Sequence, residues 1–373
     1  MKVILYIGHH KTGSTSLQTF LSQNSNSLLK SGILYPYVER QGALMAAAKR
    51  LIGDRLGPGP INVREAHNAL AFRQMSESPM RRPVPQYHRH IPPSAQIFKT
   101  IQTQIERHDP QVLILCAEVF SNFGVVAPEQ IDRLRDAFPA AQFEIYLGLR
   151  RPDEHIVAWQ SQQLAFGNKS TQLSDPSHHF GFHNIHFDFA ALLAPWLERF
   201  PDSKLILRPY SDILLSGGSS VDFTKNVSAD FPADLRLAPK SNPSLPNALM
   251  EIARRANEQL TPDIAKSVRR SLHQAAQEIT LPKNSDVEMF GPENRALILE
   301  HFAPVNAYLT EQSGNASFFP DYAEVGRCKP IPETEAMQIA FAQLDQSLLI
   351  KLGGKGVAAF ILDQHALIKT ATP

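Results

Sequence analysis

This chain has few cysteines and almost no net charge. Its 373 residues include only two cysteines, Cys116 and Cys328, which excludes a disulfide framework and is typical of a reducing cytosol. Cys116 lies in the apolar run Val112–Ala117, so we interpret it as a small buried hydrophobe rather than a reactive thiol. The 37 basic and 36 acidic side chains leave a formal net charge of +1. No global field therefore attracts nucleic acid or a membrane, and any anion site must be built locally.

Long apolar runs and targeting signals are missing as well. The first apolar run, Val3–Ile7, is too short for a signal peptide or for a membrane-spanning helix. No internal repeat or low-complexity tract occurs. We therefore expect a cytoplasmic protein with no membrane insertion and no nucleic-acid partner, and the sequence leaves the oligomeric state unknown. Hydrophobic residues make up 43% of the chain, which supports a packed core.

Strand and helix patterns alternate along the chain as far as Arg208. Continuous apolar runs of this kind are typical of strands that are buried on both faces. The predicted strands are Val3–Ile7, Val112–Cys116, Phe143–Leu149 and Lys204–Arg208. Strands that alternate with helices predict a central parallel sheet covered by helices on both faces, which is a three-layer α/β sandwich.

The domain organisation follows from changes in composition. We predict one α/β domain over residues 1–330 and a C-terminal helical extension over 331–373. Residues 55–95 are rich in Pro, Gly, Arg and His, which indicates an irregular insertion or a cap of short helices on the main domain. The segment is either a solvated surface insertion or a basic lid over an acidic acceptor. From about Pro246 the pattern is helical only, and the helices of 246–330 are expected to pack on the sheet domain.

The loop Gly8–Ser16, between the first predicted strand and a helix, has the composition of an anion site. In open α/β sheets, ligands bind at the carboxyl ends of strands, where a helix begins with unsatisfied N–H groups and the positive end of its dipole. Gly8 and Gly13 let the backbone curl closely around an anion. Lys11 adds a mobile charge, and Ser14–Ser16 add hydroxyl donors. Every component suits a phosphate or a sulfate.

The position of Lys11 separates this loop from other nucleotide-binding loops. In the triphosphatase pattern G-x-x-x-x-G-K-[ST], lysine directly follows the second glycine. Here Gly8 and Gly13 have that separation, but Ser14 follows Gly13 and the lysine precedes it by two residues. The dinucleotide pattern G-x-G-x-x-G is absent. The site is therefore P-loop-like without a conventional Walker loop, and an ATP- or GTP-dependent kinase is the alternative that this difference disfavours.

At this point the residues resemble a known family. Lys11–Thr15 looks like the 5′-phosphosulfate loop of sulfotransferases that use 3′-phosphoadenosine-5′-phosphosulfate (PAPS), and Ile7–Gln18 is similar to the bacterial-type branch of that family. The resemblance covers roughly residues 1–40 and 110–320. Further segments resemble the family in the expected order: Gly32–Pro36, Leu113–Glu118, Tyr146–Pro152, Phe189–Trp196 and Leu207–Pro209.

The resemblance implies a transferase with a P-loop-like fold. It would move a sulfuryl group from PAPS, its donor co-substrate, to a hydroxyl or amine of a small-molecule or glycan acceptor, with no metal expected. Lys11 would stabilise the charge that develops on the leaving phosphate. The nucleotide-binding residues carried over from the family's loop are Lys11, Thr12, Gly13, Ser14, Thr15 and Ser16.

The 3′-phosphate of the nucleotide is expected to meet Arg150, in the turn after the third predicted strand, with Arg151 as a competitor for that role. The family usually adds a serine eight residues after its arginine, but that position is Ala158 here. Ser161, about one helical turn further on, is the candidate replacement. The mismatch at Ala158 keeps a second reading open, that of a catalytically inactive sulfotransferase-like binding protein.

An acceptor hydroxyl or amine needs a general base. Glu118 is the first candidate because it follows a strand whose carboxyl end should face the cofactor loop. The competing interpretation is a structural carboxylate that pairs with Lys11 or Arg150. His10 is the second candidate base and His9 the third, and either could instead orient the loop.

Two other motifs favour ordinary structural roles. The histidines of His178–His186 have no Cys or carboxylate arranged with them, so a solvated or acceptor-lining loop is favoured over a zinc site. Gly353–Gly356 follows a helix rather than a strand, which predicts a helix cap and linker instead of a phosphate loop.

Overall fold

The computed structural model describes residues 1–88, 90–238 and 244–371. The strands, numbered in chain order, are β1 (Lys2–Tyr6), β2 (Ile33–Leu34), β3 (Val112–Cys116), β4 (Gln142–Leu149), β5 (Lys204–Pro209), β6 (Val287–Glu288) and β7 (Ile331–Pro332). The α-helices are α1 (Ser14–Gln23), α2 (Ser25–Lys30), α3 (Arg40–Ile52), α4 (Ile61–Arg64), α5 (Ala66–Ser76), α6 (Ser94–His108), α7 (Phe123–Val126), α8 (Glu129–Asp136), α9 (Pro152–Ala165), α10 (Phe189–Arg199), α11 (Tyr210–Leu215), α12 (Ser219–Asn226), α13 (Met250–Gln259), α14 (Pro262–Ala275), α15 (Gly291–Ser313), α16 (Glu333–Phe341) and α17 (Gln346–Ala371).

A five-stranded parallel sheet in the order β2-β3-β1-β4-β5 forms the centre of the fold. This confirms the predicted α/β class with a central parallel sheet. The four predicted strands are all present. The strand β2 escaped prediction because its two residues, Ile33 and Leu34, are too few to show a period, and it pairs with β3 at the edge of the sheet.

Both faces of β1 are covered, which is why its sequence is continuously apolar. Val3, Ile4 and Leu5 are fully buried although successive side chains of a strand point to opposite faces. On the face that Ile4 shares with Tyr6, the core includes Leu17, Phe20 and Leu21 of α1 and Phe223 of α12. The helices therefore form layers on the sheet, as the alternating pattern predicts.

The strand β1 occupies the point where the strand order reverses. Its neighbours are β3 on one side and β4 on the other, and the register aligns Tyr6 with both Cys116 and Tyr146. The loops after β1, β3 and β4 consequently leave the sheet at the same edge. In open α/β sheets this edge, at the reversal of strand order, is where ligands bind.

The chain forms two compact units. The first comprises residues 1–151, 181–241 and 304–320 and contains the five-stranded sheet. The second comprises residues 152–180, 242–303 and 321–373. The division into a domain over 1–330 and an extension over 331–373 stays a prediction.

The second unit is largely helical but also contains the parallel pair β6 and β7. The expectation of helices only after Pro246 is therefore wrong, since strands of two residues leave no period in a sequence.

Arg295 is buried in the second unit, with Nε 2.7 Å from Glu288 and Nη1 3.6 Å from Asp153. Gly354, at φ 81°, kinks α17, so Gly353–Gly356 joins two helical segments directly and does not form the predicted linker. Among the described helices, none is both long and apolar enough to cross a membrane.

Candidate functional site

The loop between β1 and α1 has a tightly curled backbone. Its φ angle is positive at Gly8 (22°), Lys11 (65°) and Gly13 (84°), and α1 begins at Ser14 directly after Gly13. A Cβ atom at Gly13 would lie 2.8 Å from Oγ of Ser219, so glycine is required there both for its conformation and for space. The first-turn amides of α1 have no partner within the helix and stand at the positive end of its dipole.

Two side chains of the loop point inward and hold its shape. His9 and Thr12 are completely buried, and Oγ1 of Thr12 donates a hydrogen bond to the carbonyl oxygen of His9 at 2.6 Å. The ring of His9 packs edge-on against Phe189, with centroids 5.2 Å apart. The side chain of Thr12 thus stabilises the conformation of the loop. The burial of His9 argues against the role of a base, because an acceptor cannot reach it.

Lys11 is the half-buried cation of the loop. Burial lowers the pKa of its ammonium group, the positive charge of Arg150 lowers it further, and the carboxylate of Glu118 acts in the opposite direction. Lys11 therefore lies within electrostatic range of both residues. The loop after β1, the end of β3 and the end of β4 bring a cation, a carboxylate and a second cation to one edge of the sheet.

Glu118 stands two residues beyond β3, and its carboxylate connects to the loop at two points. Oε2 accepts a hydrogen bond from Oγ of Ser14, and Oε1 lies 3.6 Å from Nδ1 of His10. Burial by itself would raise the pKa of Glu118, but the charge and hydrogen bond of His10, the Ser14 hydroxyl and the charge of Lys11 lower it below the usual range. The carboxylate is consequently ionised at neutral pH.

His186 extends this cluster toward the 55–95 insertion. Its ring meets that of His10 edge-on with centroids 5.0 Å apart. Burial lowers the pKa of His186 to about 3, and the charges of His10 and Arg82 contribute in the same direction. Arg82 belongs to the insertion, as does Tyr87, whose pKa is raised by burial and by the carboxylates of Glu65 and Glu118. Residues of the insertion therefore lie within electrostatic range of the cluster, and the basic lid over an acidic acceptor stays a prediction.

Arg150 follows β4 directly and is half-buried. Its guanidinium carbon lies 5.0 Å from the ring centroid of Tyr210, a cation–π contact that fixes the plane of the group. The neighbouring Arg151, the competitor for its predicted role, is buried. The more exposed Arg150 is thus the better placed of the two to meet a ligand.

A second glycine-rich turn, Gly217–Ser220, lies beside the loop and was missed by sequence reasoning. Oγ of Ser219, the first residue of α12, donates to the carbonyl oxygen of Gly13 at 2.8 Å. Deeper in α12, Asp222 accepts two hydrogen bonds from Arg208 and one from Tyr146. The signal that could have revealed this turn is Gly-Gly-Ser-Ser, which follows the last strand of the sheet at the start of a helix.

Ser161 and Ala158 both lie on α9, in the second compact unit, and both are buried. Arg150 and Arg151 precede α9, which begins at Pro152. The predicted count of helical turns from Arg150 to Ser161 therefore does not hold over these two residues. A phosphate role for Ser161 stays a prediction. Among the described residues, no group of three or more His, Cys, Asp or Glu side chains could hold a metal ion.

Comparisons with known proteins give distant similarities. No protein-family model matches the chain. An uncharacterized protein from Archaeoglobus fulgidus is 24% identical over 260 residues, which is 66% of this chain and 67% of that protein. Among solved structures, the crystal structure of a sulfotransferase from Alicyclobacillus acidocaldarius aligns with 87% of this chain and 99% of its own, at a TM-score of 0.41 and 15% identity. Identities this low do not transfer an activity between proteins.

Proposed function

We propose that this protein is a sulfotransferase that moves a sulfuryl group from PAPS to a hydroxyl or amine acceptor. The observation that carries the proposal is the position of Lys11. It projects from a left-handed position within a glycine-bounded loop at a helix N-terminus, within electrostatic range of Glu118 and Arg150. That arrangement supplies a cation for a leaving phosphate beside a carboxylate–histidine pair.

In the proposed complex the loop binds the 5′-phosphosulfate end of the donor. The amides of Gly13–Ser16 and the dipole of α1 favour an anion at this position. The exposed hydroxyl of Thr15 and that of Ser16 add donors. Arg150 would hold the 3′-phosphate, for which a planar, always-charged guanidinium is suited. The cation–π contact with Tyr210 would pre-orient it for that contact.

The proposed reaction is an in-line displacement at sulfur. The acceptor oxygen or nitrogen forms a bond to sulfur as the bond from sulfur to the bridging oxygen breaks. That oxygen keeps the electron pair and leaves as part of 3′-phosphoadenosine-5′-phosphate (PAP), with Lys11 stabilising its growing negative charge. The acceptor proton passes to a base on the protein.

The base is proposed to be the pair of His10 and Glu118 acting together. Glu118 was the first sequence candidate, but its carboxylate already accepts from Ser14 and its pKa is lowered, which weakens it as a proton acceptor. His10, in its neutral form and with Nδ1 3.6 Å from that carboxylate, is proposed to take the proton, and the carboxylate stabilises the imidazolium that forms. Glu118 then positions the ring and supplies the counter-charge.

Calorimetry with PAP and with ATP tests the donor class. We expect PAP to bind at least tenfold more tightly than ATP, and Lys11→Ala to weaken PAP binding. Lys30→Ala, which changes an exposed lysine of α2, is the matched control and should leave binding unchanged. Tighter binding of ATP would overturn the proposal in favour of a kinase. Binding of PAP without sulfuryl transfer to any hydroxyl or amine acceptor would favour a nucleotide-binding protein without turnover, the reading that Ala158 keeps open.

A further inference from the structure

Helix α3 presents three large apolar side chains to solvent and a polar anchor to the protein. Leu44, Leu51 and Ile52 are exposed, Leu51 to 86%, and Leu56 just beyond the helix is exposed too. The buried side of the same helix contains Gly42 and Lys49. An ordinary surface helix has the opposite arrangement, with apolar residues facing the core.

The orientation of α3 is set by those two buried residues. A Cβ at Gly42 would lie 2.6 Å from Cβ of Tyr37, so the helix approaches that residue at a distance only glycine allows. Lys49, two turns later on the same face, donates from Nζ to the carbonyl oxygen of Ser22 and to Oγ of Ser25. Rotation that would bury the leucines would break these contacts, so the exposure of the leucines is built into the fold.

The exposed charged side chains around these leucines are all arginines. Arg40, Arg50 and Arg55 are exposed. The nearby carboxylates are engaged elsewhere. Glu39 caps α3 by accepting from the amides at positions 41 and 42, and Asp54 is buried and accepts from the amides at positions 26 and 27.

Arg50 keeps its positive charge uncompensated although it has a hydrogen-bond partner. Its Nη2 lies 2.6 Å from Nε2 of His108. Burial lowers the pKa of His108, and the charges of Arg50 and Arg107 lower it further, so the ring is neutral at pH 7 and accepts the hydrogen bond. The surface around the leucines is consequently apolar and cationic.

We propose that this surface docks on an anionic lipid membrane. We call it the α3 face and define it by Arg40, Leu44, Arg50, Leu51, Ile52, Arg55 and Leu56. Leucine and isoleucine between arginines are the combination with which an amphipathic helix lies in the headgroup region of a bilayer, apolar side chains inward and cations at the phosphates. The inference concerns peripheral docking of a folded face and is independent of the proposed reaction.

Charge complementarity favours lipid over a second copy of this chain. A two-fold contact through the α3 face would place the same patch on both partners. Arg50 and Arg55 would then meet arginines of the partner with no exposed carboxylate of the face to separate them. An anionic bilayer instead opposes each arginine with phosphate or carboxylate groups.

Vesicle flotation tests the inference with the full chain. We expect it to float with phosphatidylcholine–phosphatidylserine vesicles, weakly with phosphatidylcholine alone, and less as salt rises. The double variant Leu51→Gln, Ile52→Gln should lose about tenfold in partitioning. The matched control is Leu215→Gln, since Leu215 is 87% exposed but its helix α11 contains Asp212 and no arginine, and it should float like the wild type.

A second variant keeps the inference testable if the first unfolds, which a thermal melt by circular dichroism will show. Arg50→Gln, Arg55→Gln should reduce partitioning about fivefold for each charge removed, as expected for cations near an anionic surface. Flotation that is absent, or that survives both double variants, overturns the inference. So does a dimer in sedimentation velocity that Leu51→Gln dissociates, because the face would then belong to a second copy.

Discussion

Nδ1 of His10 lies 3.6 Å from Oε1 of Glu118, and the two residues come from segments 108 positions apart in the chain. The parallel register of β1 with β3 produces this proximity. Tyr6 pairs with Cys116, so residues a few positions beyond either strand emerge at the same edge of the sheet. Because both side chains lie at the site, substitution of Glu118 distinguishes His10 from Glu118 as the general base.

Replacing Glu118 by Gln should lower kcat for sulfuryl transfer about 100-fold or more, the usual contribution of acid–base catalysis. If His10 takes the proton, the variant retains an acidic limb in its kcat–pH profile. If Glu118 is itself the base, the limb disappears. Glu106→Gln, on the exposed side of α6, is the control and should behave as the wild type.

Replacing Lys11 by Ala should lower kcat at least about 100-fold, because the leaving phosphate then lacks its cation. The melting temperature should change little, since Lys11 is half-buried and its pKa is lowered by burial, so removing it relieves a desolvation cost. The comparison enzyme is Lys30→Ala, measured with the same acceptor. Turnover at wild-type rate in Lys11→Ala would defeat the proposed mechanism.

Gly13→Ala should destabilise the protein by more than Gly314→Ala, at the glycine that follows α15. Both glycines have positive φ, 84° and 67°, a conformation that costs an alanine about 1 kcal/mol. Of the two, only Gly13 has another atom close to the new Cβ, Oγ of Ser219 at 2.8 Å, while nothing lies within 4 Å at Gly314. Because Oγ of Ser219 also donates to the carbonyl oxygen of Gly13, urea denaturation of Gly13→Ala, Ser219→Ala and the double variant isolates the steric effect. Additive changes in the free energy of unfolding would show that the contact does not matter.

Asp222→Asn should lower the free energy of unfolding by about 3 kcal/mol, the scale for breaking a buried ion pair. The Asp222 carboxylate is fully buried and accepts from Arg208, Tyr146 and Ser216, so an amide nitrogen would face a donor and Arg208 would lose its counter-charge. Asp212→Asn is the control, because its carboxylate is 37% exposed and 3.8 Å from Arg208. Equal effects of the two substitutions in urea denaturation would contradict the special role of Asp222.

His67 predicts a pH dependence of stability. Its Nε2 donates to the carbonyl oxygen of Pro36 at 3.1 Å, and its Nδ1 accepts from the amide of Cys116 at 3.0 Å. Burial lowers its pKa from 6.5 to about 3. Below pH 6.5 the unfolded chain binds a proton that the folded protein does not, so this contribution to stability is complete above pH 6.5 and falls toward pH 3.

The slope from this one histidine is at most about 1.4 kcal/mol per pH unit. The free energy of unfolding, measured by urea denaturation between pH 4 and pH 7, should therefore rise more steeply for the wild type than for His67→Gln. Glutamine offers both a donor and an acceptor but does not titrate. Parallel curves for the two proteins would rule out His67 as a source of the pH dependence.

The features that are predicted correctly from the sequence have a local origin. Val112–Cys116 is predicted to the residue, because a short continuous apolar run is typical of a strand covered on both faces. The loop Gly8–Ser16 is also predicted, since glycine adopts the positive φ of Gly8 and Gly13 at little cost wherever the chain goes afterwards. The central parallel sheet then follows from the alternation of strands and helices.

The contacts between residues far apart in the chain arise from the tertiary fold. Ser14 and Glu118 share a hydrogen bond across 104 positions, and Ser219 reaches Gly13 across 206. The exposure of the leucines on the α3 face also depends on tertiary contacts, because Gly42 and Lys49 fix the rotation of the helix through contacts with other segments. The two-residue strand β2 exists only because the longer strand β3 pairs with it. A local pattern cannot encode such contacts, since their partners are brought together by the packing of the whole chain.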